Sequence, residues 1–265
     1  MVRQGTRPPR GGLFGRRRRV GREGREDEMT ERSGTACWVS VTTDDRQATE
    51  AFYGAVLGWS FEGGSPAPEA RVATAAGQPV AGLNEAAAAR GLPARWTVFF
   101  LVEDADKAAE LMNERGGTVA VGPVDFGNGR TVLGSDPSGA AFGLWQGSAP
   151  PEWSVGAGGA PAELCLRTAD PDTALGFYSA VLGWSREPER WPHACLRAGA
   201  RPGDPDPNAR PRWAVTFRAA DPGKAAEAAK RHGGTVLAPS SEDVEGASRV
   251  TLSDPHGALL TLARP

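Results

Sequence analysis

The sequence predicts an α+β fold made of two tandem βαβββ modules, whose sheets are mostly antiparallel and pair with each other. Three observations carry this prediction. A twelve-residue segment is duplicated, further motifs follow it twice in the same order, and an Asp-Pro-x-Gly turn joins the last two predicted strands of each copy. Helices that alternate singly with single strands would instead favour a doubly wound parallel sheet.

Four motifs establish the duplication because they return in one order. They are FYxAVLGW within residues 51–62 and 176–187, RWxVxF beginning at 95 and 212, GGTV at 116–119 and 233–236, and SDPxGA at 135–140 and 253–258. The offset between copies falls from 125 to 117 residues after the first motif. This difference places eight extra residues between 62 and 95, where Pro, Gly and Ala predict a loop.

Local signals alternate between strand and helix along each copy, most clearly in the second. An apolar run at Leu164 and Leu166 predicts a strand, and Asp170-Pro171 is typical of a helix start. Apolar residues at helical spacing follow until Gly183, which suits a left-handed helix end. A strand through Trp213 comes next, then a second helix from Asp221-Pro222 to the Gly-Gly pair and two closing strands.

The chain divides into a basic tail at 1–34, a first module at 35–146, a linker at 147–160 and a second module at 161–265. Residues 1–28 hold nine Arg against four acidic residues and almost no apolar ones, which predicts disorder. We expect translation to begin at Met29 and no nucleic acid to bind. Helices should cover one face of each sheet and the twin module the other face.

Composition excludes several classes of protein. With 40% apolar residues, the 265-residue chain can form real cores, yet no apolar run is long enough for a bilayer or a secretory signal. We therefore expect a cytoplasmic protein that is a monomer or weak homodimer and binds no membrane. Cys37, Cys165 and Cys195 are few and scattered, so we interpret them as small buried hydrophobic residues without a disulfide.

The motif order resembles the vicinal-oxygen-chelate superfamily of glyoxalases, bleomycin-resistance proteins and dioxygenases over residues 35–146 and 160–264. The paired tryptophans and the ending Gly-Leu-Trp-Gln at 143–146 are similar to tandem actinobacterial members, commonly labelled hydroxylases or glyoxalase-like antigens. The resemblance implies curved sheets around a cavity. It implies no single reaction, because members isomerise, epimerise, open rings, oxidise or sequester drugs.

The resemblance also implies where a metal would bind, on the first and last strands of each module. Those positions hold Trp38 and Gly143 in the first module and Glu163 and Thr261 in the second. One oxygen ligand is too few for a Zn, Fe or Mn site. His232 and His256 fall elsewhere and are expected to be exposed, while the role of His193 stays open. We therefore predict no metal and no other cofactor, with a divalent metal as the alternative.

An aromatic cavity then becomes the candidate site for a small-molecule ligand. Trp38 stands at a metal position and would either fill that space or offer a flat surface. Trp96, Trp213 and Trp145 are candidates for the cavity wall, although core packing explains buried tryptophans equally well. Arg130, like Arg95 and Arg212, could anchor an acidic ligand, but arginines at strand edges are usually solvated.

Glu163 is the candidate catalytic residue, as a general base in an apolar cleft, with a solvated position or a weak metal contact as alternatives. Three functions remain. The first is a metal-free protein that binds a small hydrophobic or aromatic metabolite. The second is a metal-independent isomerase, epimerase or cyclase that uses Glu163, and the third is a metal-dependent lyase or dioxygenase. The sequence leaves open whether the protein is an enzyme.

Overall fold

The computed structural model describes residues 33–63, 70–85, 93–191, 194–204, 206–237 and 249–265. Within these ranges the predicted α+β fold with two tandem modules is confirmed. Residues 1–32 of the basic tail, for which disorder was expected, lie outside the described residues. His193 also lies outside them. No helix in the described ranges is long and apolar enough to cross a membrane.

The first module forms one eight-stranded sheet. Its strands are β1 (Ala36–Thr43), β2 (Ser60–Gly63), β3 (Ala70–Ala75), β4 (Gln78–Glu85), β5 (Arg95–Leu101), β6 (Thr118–Phe126), β7 (Gly129–Ser135) and β8 (Ala141–Gln146). Helix α1 (Arg46–Leu57) follows β1 and helix α2 (Ala105–Glu114) follows β5. The module thus holds two βαβββ units in succession, and the strand order is β2-β3-β4-β1-β5-β8-β7-β6. Among the described strands of this sheet, β1 pairs with β4 and β5 with β8 in parallel, and the other pairs are antiparallel.

The second module has a six-stranded sheet in the described residues. Its strands are β9 (Glu163–Arg167), β10 (Ala194–Arg197), β11 (Arg212–Arg218), β12 (Thr235–Val236), β13 (Arg249–Ser253) and β14 (Leu259–Ala263), in the order β10-β9-β11-β14-β13-β12. Its helices are α3 (Pro171–Leu182) and α4 (Pro222–Arg231). A single described strand, β10, stands where the first module has three. In the described residues this edge of the sheet is therefore the four-residue strand β10.

The helix boundaries follow the predicted capping residues. Asp170 accepts a hydrogen bond from the backbone N–H of Thr173 at the start of α3, and Asp221 does the same for Lys224 at the start of α4. Gly183 ends α3 with a φ of 70°, as Gly58 ends α1. These local signals were enough to predict both helices of the second module from the sequence.

The segment expected to be a loop in the first module instead contains the hairpin of β3 and β4. Ala76 and Gly77 form its two-residue turn with φ of 50° and 76°. Two positive φ angles are what a tight hairpin turn needs, since they match the twist of the strands. The sequence at this turn is Ala-Gly, without the Asn-Gly or Asp-Gly pair that is typical of such turns. The hairpin was therefore not predicted.

The two modules pack through their helix-bearing faces. Helix α1 contacts α4, α2 contacts α3, and β5 contacts β11 between the helix pairs. There, the Phe100 ring lies 5.1 Å from Trp213, and Phe217 lies 5.2 Å from Trp96. The expectation that each twin covers the helix-free face is therefore wrong. Two short helices leave the aromatic residues of the central strands uncovered, and the other module covers them.

The repeated motifs meet at this interface in two related hydrogen-bonded chains, which we call the Trp–Tyr–Asp chains. In one, the indole N–H of Trp96 donates to the Tyr53 hydroxyl at 3.0 Å, and Tyr53 donates to Asp254 Oδ2 of the other module at 3.1 Å. In the other chain, the indole N–H of Trp213 donates to the Tyr178 hydroxyl at 2.9 Å, and Tyr178 donates to Asp136 at 3.2 Å. Each chain is buried and crosses from one module to the other.

Burial controls the protonation of these chains. It raises the pKa of Tyr53 and Tyr178 well above the ordinary value, so both hydroxyls keep their protons. Burial also raises the pKa of Asp136 and Asp254 above 3.8, although backbone N–H groups and the tyrosine hydroxyls act in the opposite direction. Each aspartate is held by two backbone N–H groups, those of Ser138 and Ala140 or their equivalents.

The raised pKa of both aspartates predicts a pH dependence of stability. A carboxyl group with a higher pKa in the folded state contributes stability below its unfolded pKa and loses that contribution as the pH rises through its folded pKa. We expect the stability advantage of the wild type over Asp136→Asn/Asp254→Asn, which cannot titrate there, to shrink as the pH rises from 3.8 toward neutrality. Urea unfolding at a series of pH values measures this, and a constant or growing difference would contradict it.

Candidate functional site

Each sheet has an open face, the side that points away from the helices. On β1, Val39 and Val41 are 0% and 2% exposed and belong to the core, so the alternate residue Trp38 points to the open face. Trp38 is in register with Phe99, and Phe99 with Gly143. The two predicted metal positions of the first module therefore lie in one row of this face.

Aromatic side chains fill this row in the first module. The Trp38 ring lies 5.8 Å from Trp153, whose indole N–H donates to the carbonyl of Val80 at 2.8 Å. A Cβ added at Gly143 would overlap the Phe99 ring. Trp153 belongs to the predicted linker and is only 3% exposed. The first open face is thus occupied by the chain itself, and the 147–160 segment is a packed part of the structure.

The equivalent row of the second module is polar. Glu163 is in register with Thr216, Thr216 with Thr261, and Thr261 with Thr251. The hydroxyl groups of Thr251 and Thr261 lie 3.2 Å apart. Smaller side chains replace the Trp and Phe of the first module, so this open face has room that the first one lacks.

A cavity of about 240 Å³ lies beside Glu163. Its lining combines polar and apolar surface and comes from the linker, Ala162, β9, β10 and the segment before β10. The residues are Val155, Gly156, Ala162, Glu163, Trp191, Ala194 and Cys195. Trp191 is 5% exposed, and its other contacts are with the rings of Trp184 and Tyr178 at 4.6 and 5.8 Å. The aromatic core therefore holds one wall of the cavity in place.

Glu163 is half-buried and paired. Its Oε2 accepts a hydrogen bond from Nη2 of Arg249 at 2.7 Å, with side-chain exposures of 30% and 33%. Its other oxygen, Oε1, lies 3.7 Å from Cys195 Sγ. Glu163 therefore lies at the cavity wall, partly exposed, with its charge balanced by an arginine from β13.

Cys165 and Cys195 form a disulfide, which corrects the expectation that all three cysteines are unlinked. They are register partners on the adjacent parallel strands β9 and β10, with their Cα atoms 4.5 Å apart. The sequence did not reveal this pairing, because β10 is a four-residue strand inside a Pro-rich irregular stretch. Cys37 is 1% exposed and forms no disulfide, as expected for a small core residue.

The donors present do not fit the divalent metal that the fold family implies. Trp38 and Gly143 offer no ligand atom, Glu163 is paired with Arg249, and Thr261 faces another hydroxyl. With the disulfide formed, no group of three or more His, Cys, Asp and Glu side chains in the described residues could hold a metal ion. His232 is exposed as expected, whereas His256 is half-buried, because its turn carries the interfacial Asp254.

Several predicted site residues lie elsewhere. Trp96 and Trp213 are in the Trp–Tyr–Asp chains between the modules, not at the cavity, because their strand positions point to the helix-bearing face. Arg130 also points to that side and forms ion pairs with Asp106 of α2 and with Asp125.

Trp145 lies on the open face of the first module and donates its indole N–H to the Ser148 carbonyl at 3.1 Å. Only Glu163 among the predicted site residues lines the cavity of the second module.

Four residues that form or cover the two open faces were not predicted from the sequence: Trp153, Trp191, Cys195 and Arg249. The two tryptophans have no partner at the equivalent position of the other module and stand in Pro- and Gly-rich stretches. A bulky aromatic residue in such a stretch was the available signal, since exposed loops rarely carry one without a packing role.

Sequence comparison finds relatives across almost the whole chain. The model of the Glyoxalase/Bleomycin resistance protein/Dioxygenase superfamily matches residues 36–144, and that of a Glyoxalase-like domain matches 163–263. "Putative glyoxylase CFP32" of Mycobacterium tuberculosis is 32% identical over 88% of this chain and 96% of its own. "Anthracycline biosynthesis protein DauV" of a Streptomyces species is 32% identical over 85% of this chain and 91% of its own.

Solved structures with the same fold include a Mn(II)-bound glyoxalase and a dioxygenase. The Mn(II)-bound glyoxalase from Novosphingobium aromaticivorans has a TM-score of 0.53 at 15% identity, over 88% of this chain and 82% of its own. The 2,2',3-trihydroxybiphenyl 1,2-dioxygenase from Sphingomonas wittichii has a TM-score of 0.53 at 14% identity, over 88% of this chain and 91% of its own. At these identities the likeness concerns the fold alone.

Proposed function

The chain belongs to the Glyoxalase/Bleomycin resistance protein/Dioxygenase superfamily, and we propose that it binds a small aromatic or hydrophobic metabolite, without a metal ion, in the cavity beside Glu163. The observation that carries the proposal is the contrast between the two open faces. The first is filled by Trp38 and Trp153, whereas the second keeps a cavity of about 240 Å³. In this proposal the second module binds the ligand and the first supports the fold.

The lining of the cavity supports this chemical class of ligand. Trp191, Val155 and Ala194 provide apolar surface, and Glu163, which is paired with Arg249, provides a hydrogen-bond acceptor. A flat ring with a hydroxyl group matches this arrangement, with the ring against the indole and the hydroxyl at the ion pair. The names of two relatives support this class, since they assign those proteins to anthracycline biosynthesis.

We expect the protein to bind single-ring and double-ring phenols such as catechol and 2-naphthol. A ring that buries about 200 Å² of apolar surface gains about 5 kcal/mol, which corresponds to a Kd of about 0.2 mM. Ala194→Leu places a larger side chain at the cavity wall and should weaken binding about tenfold, the effect of about 1.4 kcal/mol. Isothermal titration calorimetry measures both values.

Ala70→Leu is the matched control, because Ala70 is a half-exposed strand residue of the other module. Its affinity for both phenols should equal that of the wild type, and both variants should melt as cooperatively as the wild type. The proposal fails if neither phenol binds the wild type, or if Ala70→Leu and Ala194→Leu weaken binding equally.

A second candidate is a metal-independent isomerase, epimerase or cyclase. The observation in its favour is that Arg249 contacts Oε2 of Glu163, whereas Oε1 lies beside Cys195, another residue of the cavity wall. A carboxylate oxygen in that position can accept a proton from a bound ligand and return it at another atom. Glu163→Gln keeps the shape and removes the base. It should abolish turnover while leaving the affinity for a phenol within about twofold, whereas a pure binding protein would show no turnover to lose.

A further inference from the structure

The disulfide of the second module stands next to a carboxylate inside the cavity. Cys165 and Glu163 are two residues apart on β9 and therefore share the open face, while Leu164 and Leu166 between and beyond them are fully buried on the other side. Cys195 is the register partner of Cys165 on β10. The Sγ atom of Cys195 lies 3.7 Å from Oε1 of Glu163. At the cavity wall the carboxylate thus lies beside the Cys195 sulfur, to which the Cys165 sulfur is bonded.

Reduction of the disulfide changes the chemistry of this part of the cavity wall. A dithiol reductant supplies two electrons and two protons, the S–S bond breaks, and the reductant leaves as its own disulfide. The products are two neighbouring thiols, one at Cys165 and one at Cys195. A thiol binds a metal ion as its thiolate, so each sulfur releases one proton when it becomes a ligand.

We propose that the reduced protein binds one thiophilic divalent ion, such as Zn²⁺, through Cys165, Cys195 and Glu163. Zn–S bonds of about 2.3 Å and Zn–O bonds of about 2.0 Å at a tetrahedral angle place the sulfur and oxygen about 3.5 Å apart. The observed separation of 3.7 Å between Cys195 Sγ and Glu163 Oε1 is close to this value. Three protein ligands leave the fourth position to water, on the side of the cavity.

Arg249 balances the charge of this site. Two thiolates, one carboxylate and a divalent cation carry one net negative charge, which the guanidinium would neutralise. Its hydrogen bond to Oε2 at 2.7 Å also fixes the carboxylate, as groups behind metal ligands commonly do. The site differs from the metal positions implied by the superfamily, since Thr261 takes no part and both sulfur ligands are additional. It is independent of the phenol-binding proposal, because it concerns the reduced protein.

Cobalt titration of the full chain tests the proposal. The protein is reduced, freed of reductant by gel filtration under argon and titrated with Co²⁺, which gives a thiolate charge-transfer band and the visible bands of a tetrahedral ion. We expect saturation at one equivalent, displacement by Zn²⁺ and the release of two protons. The oxidised wild type should show no band, and this control needs no substitution.

Variants then assign the ligands. Cys195→Ser should weaken Co²⁺ binding at least 100-fold, and Glu163→Gln should weaken it at least tenfold. Cys37→Ser should bind like the wild type, because Cys37 is buried in the other module. Far-ultraviolet circular dichroism checks that each variant is folded. The proposal is overturned if the reduced wild type shows no charge-transfer band, if Cys165→Ser/Cys195→Ser keeps it, or if Glu163→Gln binds as tightly as the wild type.

Discussion

Replacing Asp254 with alanine is expected to lower the free energy of unfolding by about 3–5 kcal/mol, a large share of the stability of a typical domain. The carboxylate accepts hydrogen bonds from the backbone N–H groups of His256 and Ala258 and from the Tyr53 hydroxyl, all at 2.8–3.1 Å. Its loss leaves the buried Ala258 N–H and the Tyr53 hydroxyl without this acceptor, and each such group costs about 1–3 kcal/mol. The damage should reach both modules, because Tyr53 lies in the other one.

Asp136→Ala is the internal replicate, since Asp136 makes the same three contacts with Ser138, Ala140 and Tyr178. Asp172→Ala is the control, because Asp172 is exposed in the first turn of α3 and should cost a few tenths of a kcal/mol. Urea unfolding at neutral pH, followed by circular dichroism, gives the three values. Equal stabilities for Asp254→Ala and Asp172→Ala would show that the Trp–Tyr–Asp chains do not hold the modules together.

The sequence predicted the fold well because the motifs that repeat are the ones that build it. The FYxAVLGW, RWxVxF and SDPxGA motifs supply the tyrosine, tryptophan and aspartate of the two interfacial chains. Both modules must keep these residues, because each Trp–Tyr–Asp chain takes its tryptophan and tyrosine from one module and its aspartate from the other. The same logic explains why Trp96 and Trp213 were misplaced at the cavity. Their matched positions indicated a shared structural role.

The candidate site was harder to predict because it consists of residues that differ between the modules. Glu163 and Thr261 occupy the positions that Trp38 and Gly143 hold in the first module. Trp191 has no equivalent residue there. The cavity also depends on the path of the linker and of the irregular chain before β10. Neither path follows from periodicity, because both segments lack a regular hydrophobic pattern. The disulfide depends on the register of β9 with β10, which only the folded chain defines.

Trp153→Ala is expected to lower the free energy of unfolding by about 3–5 kcal/mol and to create a binding site on the first module. Trp153 is 3% exposed, packs against Trp38 and donates its indole N–H to the Val80 carbonyl. Its removal empties a space of indole size beneath the linker. Apolar cavities of this kind take up small aromatic molecules when they are lined by rings and aliphatic groups.

Indole should therefore restore part of the stability that Trp153→Ala loses. At 1 mM indole and a Kd of about 0.2 mM, linkage predicts a gain of about 1 kcal/mol, or roughly 2–4 °C in Tm. Trp145→Ala is the control, because Trp145 lies on the same open face but is only half-buried. It should lose about 1–2 kcal/mol and gain no more from indole than the wild type, whose second-module cavity can also take up an aromatic ring. The same response to indole in both variants would mean that the linker tryptophan does not fill a cavity of the first module. A larger response in Trp153→Ala would instead support the division between a module filled by its own chain and a module that keeps its cavity for a ligand.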